Sequence, residues 1–430
     1  MADKSNSSNI DEKNFPDPAL RAWLRKIYQS DTLSSELIET TTELKLPAGL
    51  GVGSLEGLDR FKNLKILNCS FQELTELAPG NWTQLEELHC EANHLTRIDL
   101  SQNRALNLVD CPGNPLGQID VTALAELDYL DVDHCELKAL DLRSNPKLRG
   151  LSCCANDLLA LDLSSNPQLE LVYCSFNALD QIALCEESGL EELHCACNIL
   201  KQIDVGKAEK LGYLGIEENS LTQLDVTKNP YLQFLYCSGN QLTSLDVSNN
   251  KDLLGLRAGD NKLTELDVSA CVKLNALSVS GNQLTELDVS ANPYLMVLVC
   301  DDNKLIELDL ANHSRLAWLN CARNRLLKLA LPSEAVWTHF EGDNQRLTIP
   351  AKRNARGILQ STEAFPGVKF SDFKSGRTPC ACAVYNPRTG LLIDQAGRRR
   401  YSFSAKTNLD TFELNGRIFF EECDHNEADN

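Results

Sequence analysis

An asparagine returns every 21 residues in this chain, at Asn93, Asn114, Asn156, Asn177, Asn198, Asn219, Asn240, Asn261, Asn282, Asn303 and Asn324, and Gln72 and Cys135 fill the two rungs that lack it. From Leu232 one copy reads LQFLYCSGNQLTSLDVSNNKD, with leucine at positions 1, 4 and 11. A single copy of that length cannot bury its own apolar side, so copies must stack into a solenoid. LxxLxC alternates apolar and polar residues, which sends positions 4 and 6 of a short strand inward and positions 3 and 5 outward. Thirteen such strands begin at Leu64, Leu85, Leu106, Leu127, Leu148, Leu169, Leu190, Leu211, Leu232, Leu253, Leu274, Leu295 and Leu316. At roughly 4.8 Å per rung they form a parallel sheet about 58 Å long. The LDVS half is again apolar-polar-apolar, which predicts a second short extended segment and a thin coil.

Charge narrows the partner. The chain carries a formal charge of −20 with an isoelectric point near 4.8, which argues against a phosphate-binding surface and favours a basic or neutral protein partner. Residues 345–430 hold 13 Lys+Arg and 10 Asp+Glu of the chain's 41 and 61, leaving 28 against 51 for residues 1–344. The acidic excess therefore belongs to the repeats and their entry. The N-terminus, MADKSNSSNIDEKNFPD, has no apolar core of secretory-signal length, and no run of about 18 apolar residues occurs. A cytoplasmic protein is expected, with export lacking a cleaved signal, or a signal removed before the numbered start, as alternatives.

The domain reading is a disordered tail at 1–14, a helical N-terminal cap and lead-in at 15–60, the solenoid of about 13 repeats at 61–344, and an irregular linker with a small antiparallel β unit at 345–430. Asp17 suits a helix N-cap, Pro18 the first helical position, and Leu20, Trp23, Leu24 and Ile27 an apolar stripe. A second short helix is expected after Ser34. Residues 345–378 carry Pro350, Pro366 and Gly367 as breakers. Beyond them CAVY, GLLID and TFELNGRIFF predict strands, with a type I′ hairpin at Asn415-Gly416. The plain role of this unit is to close the last coil.

The motif LxxLxCxxNxLxxLDVSxNPxL resembles the 21-residue class of bacterial leucine-rich repeat proteins, the internalin-like surface and effector proteins, over about 280 of the 430 residues. The entry FPDPALRAWL followed by LSSELIE is similar to the cap that precedes such repeats. The resemblance implies a right-handed coil, a parallel concave sheet that binds a protein partner, and an asparagine ladder whose side chains bond backbone groups of neighbouring coils. The chain departs from the usual extracellular members in having no signal peptide, sorting tail or surface-binding module in its sequence.

Several residue sets have side-chain chemistry that could make a site. Cys69, Cys90, Cys111, Cys153, Cys174, Cys195, Cys237, Cys300 and Cys321 share position 6 with Val132, Ile216, Ala258 and Val279. Exchange with small apolar residues marks a core position, since a metal ligand would not alternate with Val. Cys154 and Cys197 are expected outward and hence the most reactive thiols. An aspartate ladder at Asp99, Asp120, Asp141, Asp162, Asp204, Asp225, Asp246, Asp267, Asp288 and Asp309 is tolerable if each carboxylate is solvated or bonded to nearby backbone N–H groups. Calcium is the sharper alternative, although one carboxylate per rung falls short of six to eight oxygens. His89 and His194 lie five rungs apart, too far to share a metal. Cys380, Cys382, Cys423 and His425 have zinc-ligand chemistry without CxxC spacing. No nucleotide, hydrolase or metalloprotease motif occurs, so no catalytic residue, cofactor or metal is assigned.

The repetition breaks on the outward positions at its middle. Leu171, Glu192, Tyr213 and Phe234 occupy position 3, Tyr173, His194, Gly215 and Tyr236 position 5, and Phe176 follows at position 8. Around them stand Asp110, Asp131, Asp133, Glu217, Glu218, Asp260, Asp301 and Asp302. The expected partner site is Leu171, Tyr173, Phe176, His194, Tyr213, Glu217, Glu218, Phe234 and Tyr236, an apolar centre in an acidic field for a basic, partly apolar protein. The plain alternative is cross-rung stacking that only stabilises the sheet. A second functional reading is an effector or toxin-like protein whose repeats target while the C-terminal β unit acts.

Overall fold

The computed structural model describes residues 8–346, apart from 327 and 334, and the backbone of the strands between Gln345 and Glu422. The chain forms two compact units, residues 1–230 and 231–430.

The first unit opens with a cap. Helix α1, Pro18–Tyr28, starts where Asp17 accepts from the Leu20 amide at 2.8 Å. It buries Leu20, Trp23 and Leu24, whereas Ile27, assigned to the same stripe, is exposed. Helix α2, Ser35–Thr40, is capped by Ser34. The assignment of residues 8–14 to a disordered tail is corrected here. Ser8–Asn9 pairs antiparallel with Thr32–Leu33, and Ile10 is buried. One buried isoleucine and a backbone ladder outweigh the polar composition that suggested disorder.

Beyond the cap, nine three-residue strands stack in parallel: Glu43–Lys45, Ile66–Asn68, Glu87–His89, Leu108–Asp110, Tyr129–Asp131, Gly150–Ser152, Leu171–Tyr173, Glu192–His194 and Tyr213–Gly215. In the second unit Phe234–Tyr236, Gly255–Arg257, Ala276–Ser278, Val297–Val299, Trp318–Asn320 and His339–Glu341 stack in the same way. All thirteen expected strands are present, with one more before and one after them. Register is fixed by the period. Glu192, Leu193 and His194 lie beside Leu171, Val172 and Tyr173, so each inward apolar residue falls on another and every position-6 cysteine is fully buried. The LDVS half forms short paired strands in places, as at Ala160–Leu163 with Gln181–Leu184.

Each coil leaves the sheet through a corner at position 8, where the backbone takes positive φ in Ala155, Phe176, Cys197, Glu218, Asp260 and Asp302 and in Gly113, Gly239 and Gly281. The next residue pins that corner. Asn198 Nδ2 donates to the Cys174 and Cys195 carbonyls, both at 3.1 Å, while its Oδ1 accepts from the Leu179 amide at 2.9 Å. One buried amide thus satisfies groups on two rungs. Gln72 does the same through the Pro47 carbonyl and the Val52 amide. Cys135 manages only weak Sγ donations to Cys111 and Asp133. Gln345 adds a further rung, accepting from the Leu326 amide and donating to the Cys321 carbonyl.

A second polar ladder went unread in the sequence. Asn103, Asn145, Asn166 and Asn292 are buried in the other half of the coil, where Asn145 Nδ2 donates to the Val121 and Leu124 carbonyls. Their 21-residue multiples were the available signal, obscured because Leu124, Ala208, Cys271 and His313 interrupt the series.

In the C-terminal part, the strands Gln345–Arg353, Leu359–Ser361, Phe370–Ser375, Thr378–Pro379, Ala383–Asn386, Leu391–Asp394, Arg400–Lys406 and Glu413–Glu422 form one eight-stranded sheet. Its pairings are antiparallel except for Gln345–Arg353 beside Glu413–Glu422. Two expectations are corrected. Stretches of the segment read as an irregular linker are strands, and Pro350 is tolerated because it is paired on one side only, with Glu421. Asn415-Gly416 is not a hairpin turn. Both residues lie inside the long strand Glu413–Glu422, opposite Ser404 and Phe403. Ladders on both sides of that strand override the local turn preference of the dipeptide.

Candidate functional site

In the first unit, position 3 and position 5 project from the exposed sheet face, as the alternation requires. Tyr173, His194 and Tyr213 form one stack. The ring centroids of Tyr173 and His194 are 4.4 Å apart at 16°, and those of His194 and Tyr213 are 4.2 Å apart at 22°. Glu192 lies at the tips of the first two rings, accepting from Tyr173 Oη at 3.2 Å with His194 Nε2 also 3.2 Å away. The period puts one ring on each rung, and a rung spacing near 4.8 Å is close to aromatic stacking distance. Leu171, Tyr173, His194 and Tyr213 are each half-buried, so the stack both holds the sheet and presents its rim. Phe176 is 63% exposed, but on the corner with φ 58°, beside the stack and not within it. Glu218 takes the same corner position, and Glu217 stands at position 7 with its carboxylate close above Gly215.

Next to the stack on this sheet the face turns acidic. Asp110 and Asp131 are side by side on adjacent strands. Burial pushes the Asp131 carboxyl up to about 6, with Asp133, Asp110 and Glu91 adding to the shift. His89 Nδ1 lies 2.8 Å from Asp110 Oδ2, and that hydrogen bond raises the imidazole above its ordinary range. Asp133 is engaged by its own sheet, accepting from Ser152 Oγ at 2.8 Å. Tyr129, missed in the sequence although it sits at position 3, lies over Gly150, where an added Cβ would come within 2.6 Å of the ring.

In the second unit Phe234 and Tyr236 make an edge contact at 6.2 Å, and the Arg257 guanidinium sits 4.5 Å from the Tyr236 centroid. Phe234 covers Gly255 much as Tyr129 covers Gly150. Further along this face Trp318, also missed, stacks on His339 at 4.1 Å and is 43% exposed. Asp301 is not part of an open acidic field. It is buried and paired with Arg323 Nη2, while Asp302 accepts from Arg323 Nε at 2.8 Å. Asp260 stands on the position-8 corner. The nine residues expected to form one site therefore fall into two groups, seven in the first unit and Phe234 with Tyr236 in the second.

The other candidates resolve in structural terms. Each aspartate of the ladder accepts from a backbone amide two residues on, as Asp99 does from Ser101 and Asp246 from Ser248. The side-chain hydrogen bonds of Ser101, Ser164 and Ser269, followed by these amide bonds, hold Asp99, Asp162 and Asp267 below the usual carboxylate range, and the Ser290 amide followed by its side chain does the same for Asp288. Among the described residues no group of three or more His, Cys, Asp or Glu is placed to hold a metal. The Cys380, Cys382, Cys423 and His425 set lies outside the described residues. Cys154 and Cys197 are half-buried, and burial raises both thiols, Cys154 to about 11, so the expectation of reactivity there is not supported.

No protein-family model and no curated protein matches the chain. Solved structures do. The functional domain of InlJ from Listeria monocytogenes, described as including a cysteine ladder, is 24% identical, covering 98% of this chain and 100% of its own at a TM-score of 0.76. The internalin InlF from the same organism is 21% identical over 78% of this chain and 98% of its own, with a TM-score of 0.63. The leucine-rich effector YopM from Yersinia pestis is 26% identical over 69% and 87%, with a TM-score of 0.55. With its 21-residue register, asparagine-pinned corners and parallel sheet, this chain has the leucine-rich repeat solenoid fold of these bacterial proteins.

Proposed function

We propose that the protein is a non-enzymatic recognition scaffold whose exposed sheet face takes a basic, partly apolar protein partner. The observation that carries this reading is the half-buried Tyr173–His194–Tyr213 stack on the same sheet face as Asp131 and Asp110, the latter paired with His89. Rigid rings give area that is desolvated at little rotamer cost, and the carboxylates steer a cationic surface toward them. Leu171, Phe176, Glu217 and Glu218 contribute from the same unit, and Phe234 and Tyr236 offer a second contact on theirs. The fourteen described cysteines are all free thiols, which supports a reducing compartment such as the cytoplasm. No described helix is long and apolar enough to cross a membrane.

The test is affinity capture from native lysate with the intact protein beside a Tyr173→Ala/Tyr213→Ala variant, at low and moderate salt. A basic protein retained by the intact chain, lost by the variant and weakened by salt supports the reading. Equal capture by both proteins removes the stack from it.

A further inference from the structure

Within the first unit, the row of corners carries aromatic rings where the backbone least calls for them. Phe71, Ala92, Gly113, His134, Ala155 and Phe176 occupy position 8 of six successive rungs, all at positive φ, and each amide donates to a carbonyl of the next rung. Glycine adopts that conformation freely, whereas a bulky residue there is uncommon. Phe71 is nevertheless 48% exposed and Phe176 63%, so burial does not account for either ring. Five rungs separate them, roughly 24 Å at about 4.8 Å each. Between them stand two alanines, a glycine and His134, none as large as the rings at the ends. The sheet beside this row is acidic over the same rungs. From Ile66 to Ser175 the outward positions 3, 5 and 7 hold Glu87, Glu91, Asp110, Asp131 and Asp133 and no Lys or Arg. Asp110 is paired with His89 and Asp133 is held by Ser152, whereas Asp131 has Asp133, Asp110 and Glu91 as its charged neighbours.

We infer that this surface takes an amphipathic α-helix of the partner, about 16 residues long, laid along the rungs with an apolar residue against each of Phe71 and Phe176 and Lys or Arg facing the carboxylates between them. The inference rests on the reading that the sheet face takes a basic, partly apolar protein, and it names the form of that contact. Spacing selects the helix. One helical turn advances about 5.4 Å, close to one rung, so side chains at i, i+4 and i+8 meet successive rungs. Same-face residues of an extended chain are about 6.6 Å apart and fall out of step within two rungs. A helix of about 16 residues is also about 24 Å long, the separation of the two rings. Charge selects its middle, because carboxylates with no Lys or Arg at the outward positions around them attract a cationic stripe. The exposed rings serve as the apolar anchors at its ends.

Fluorescence anisotropy of the full chain with a labelled peptide of about 18 residues tests this. The peptide is alanine-based, with leucine in its first and last turns, lysine at i, i+4 and i+8 between them, and a side-chain staple that fixes the helix. Saturable binding below about 100 µM is expected at about 50 mM salt, weakening as salt rises. Phe71→Gly and Phe176→Gly should each weaken it by about fivefold or more, and Asp110→Asn/Asp131→Asn by about tenfold. Neither glycine variant should melt lower than the parent, because Gly113, Gly239 and Gly281 already hold the same corner. An unstapled peptide of the same composition, with two central alanines replaced by proline, should bind at least about tenfold more weakly. No saturable binding of the stapled peptide, equal binding of the proline version, or unchanged binding by the folded glycine variants would each overturn the inference. Lysate capture of a basic protein that is lost with Tyr173→Ala/Tyr213→Ala but kept by Phe71→Gly/Phe176→Gly would also overturn it, and would leave the scaffold reading standing.

Discussion

At the corner that follows each sheet strand, Asn198 and its equivalents reach across rungs to carbonyls and amides of two coils. At the corner after the second half, Asp204 accepts only from the Gly206 amide, two residues on in its own coil. Asn198 is buried and Asp204 exposed, the buried carbonyls of the second half being met instead by Asn145 and its equivalents. A buried turn strands backbone groups that water cannot reach, so an amide carrying both donor and acceptor is required there. An exposed turn needs only a local acceptor, and a carboxylate serves while its charge stays in water. The position-6 cysteines sit on the buried side, where only volume and apolarity matter. Polar ladders of equal regularity in the sequence therefore differ widely in what they contribute.

The largest expected effect tests the buried corner. Asn198→Ala should destabilise the protein by about 3 kcal/mol, because it leaves the buried Leu179 amide without a partner and the Cys174 carbonyl with Asn177 Nδ2 alone. Denaturant unfolding, with amide exchange at Leu179 as the local probe, reads this. A loss below about 1 kcal/mol would show that water replaces the amide. Asn198→Cys should fall between, since Cys135 already fills one rung with weak donations.

The thiol column sharpens the same contrast. Cys174→Ser should cost about 1–3 kcal/mol by placing a hydroxyl among apolar neighbours, whereas Cys174→Val should cost less than about 1.5 kcal/mol. Equal melting temperatures for the two variants would remove the argument that this column is packing alone.

Asp131 supplies a pH test on the face between these extremes. Its folded pKa, about 6, lies above the ordinary 3.8, so the folded state holds a proton that the unfolded chain has lost between those values. Its contribution to stability is therefore full below about pH 4 and declines as pH rises through about 6. Asp131→Asn should raise stability at pH 7.5 by about 1 kcal/mol, a figure reduced for its partial exposure, and leave it unchanged near pH 4. The ladder aspartates run the other way, with stabilisation present above the ordinary carboxylate pKa and lost as pH falls below it. Paired melting curves of the parent and Asp131→Asn across that range separate the two. The smallest effect is expected at the exposed corner, where Asp162→Ala should change stability by about 0.5 kcal/mol or less.

Much of the fold was legible because a 21-residue period leaves the chain one way to bury its leucines, and each rung repeats the same evidence. The strands, the inward and outward positions, the corner asparagines and the helical cap follow from spacing and residue type. Where repetition stops, so does legibility. Ile10 looked like part of a polar tail, Asn415-Gly416 looked like a turn, and Pro350 looked like a breaker. Each was decided by long-range pairing that local composition does not encode.

The site was legible only as a set of outward positions. Periodicity says that Tyr173, His194 and Tyr213 project from the sheet, and alternation alone establishes that much. That their rings stack on one another with Glu192 at their tips, that Arg323 pairs with Asp301, and that Phe176 turns the corner depend on rotamers and on neighbours 19 to 22 residues away. The amino-acid sequence by itself determined the coil, its register and which residues face solvent, because those follow from the hydrophobic period. The tertiary structure alone decided which exposed charges are paired and which aromatics are engaged, because contacts between rungs are set by packing geometry rather than by residue order.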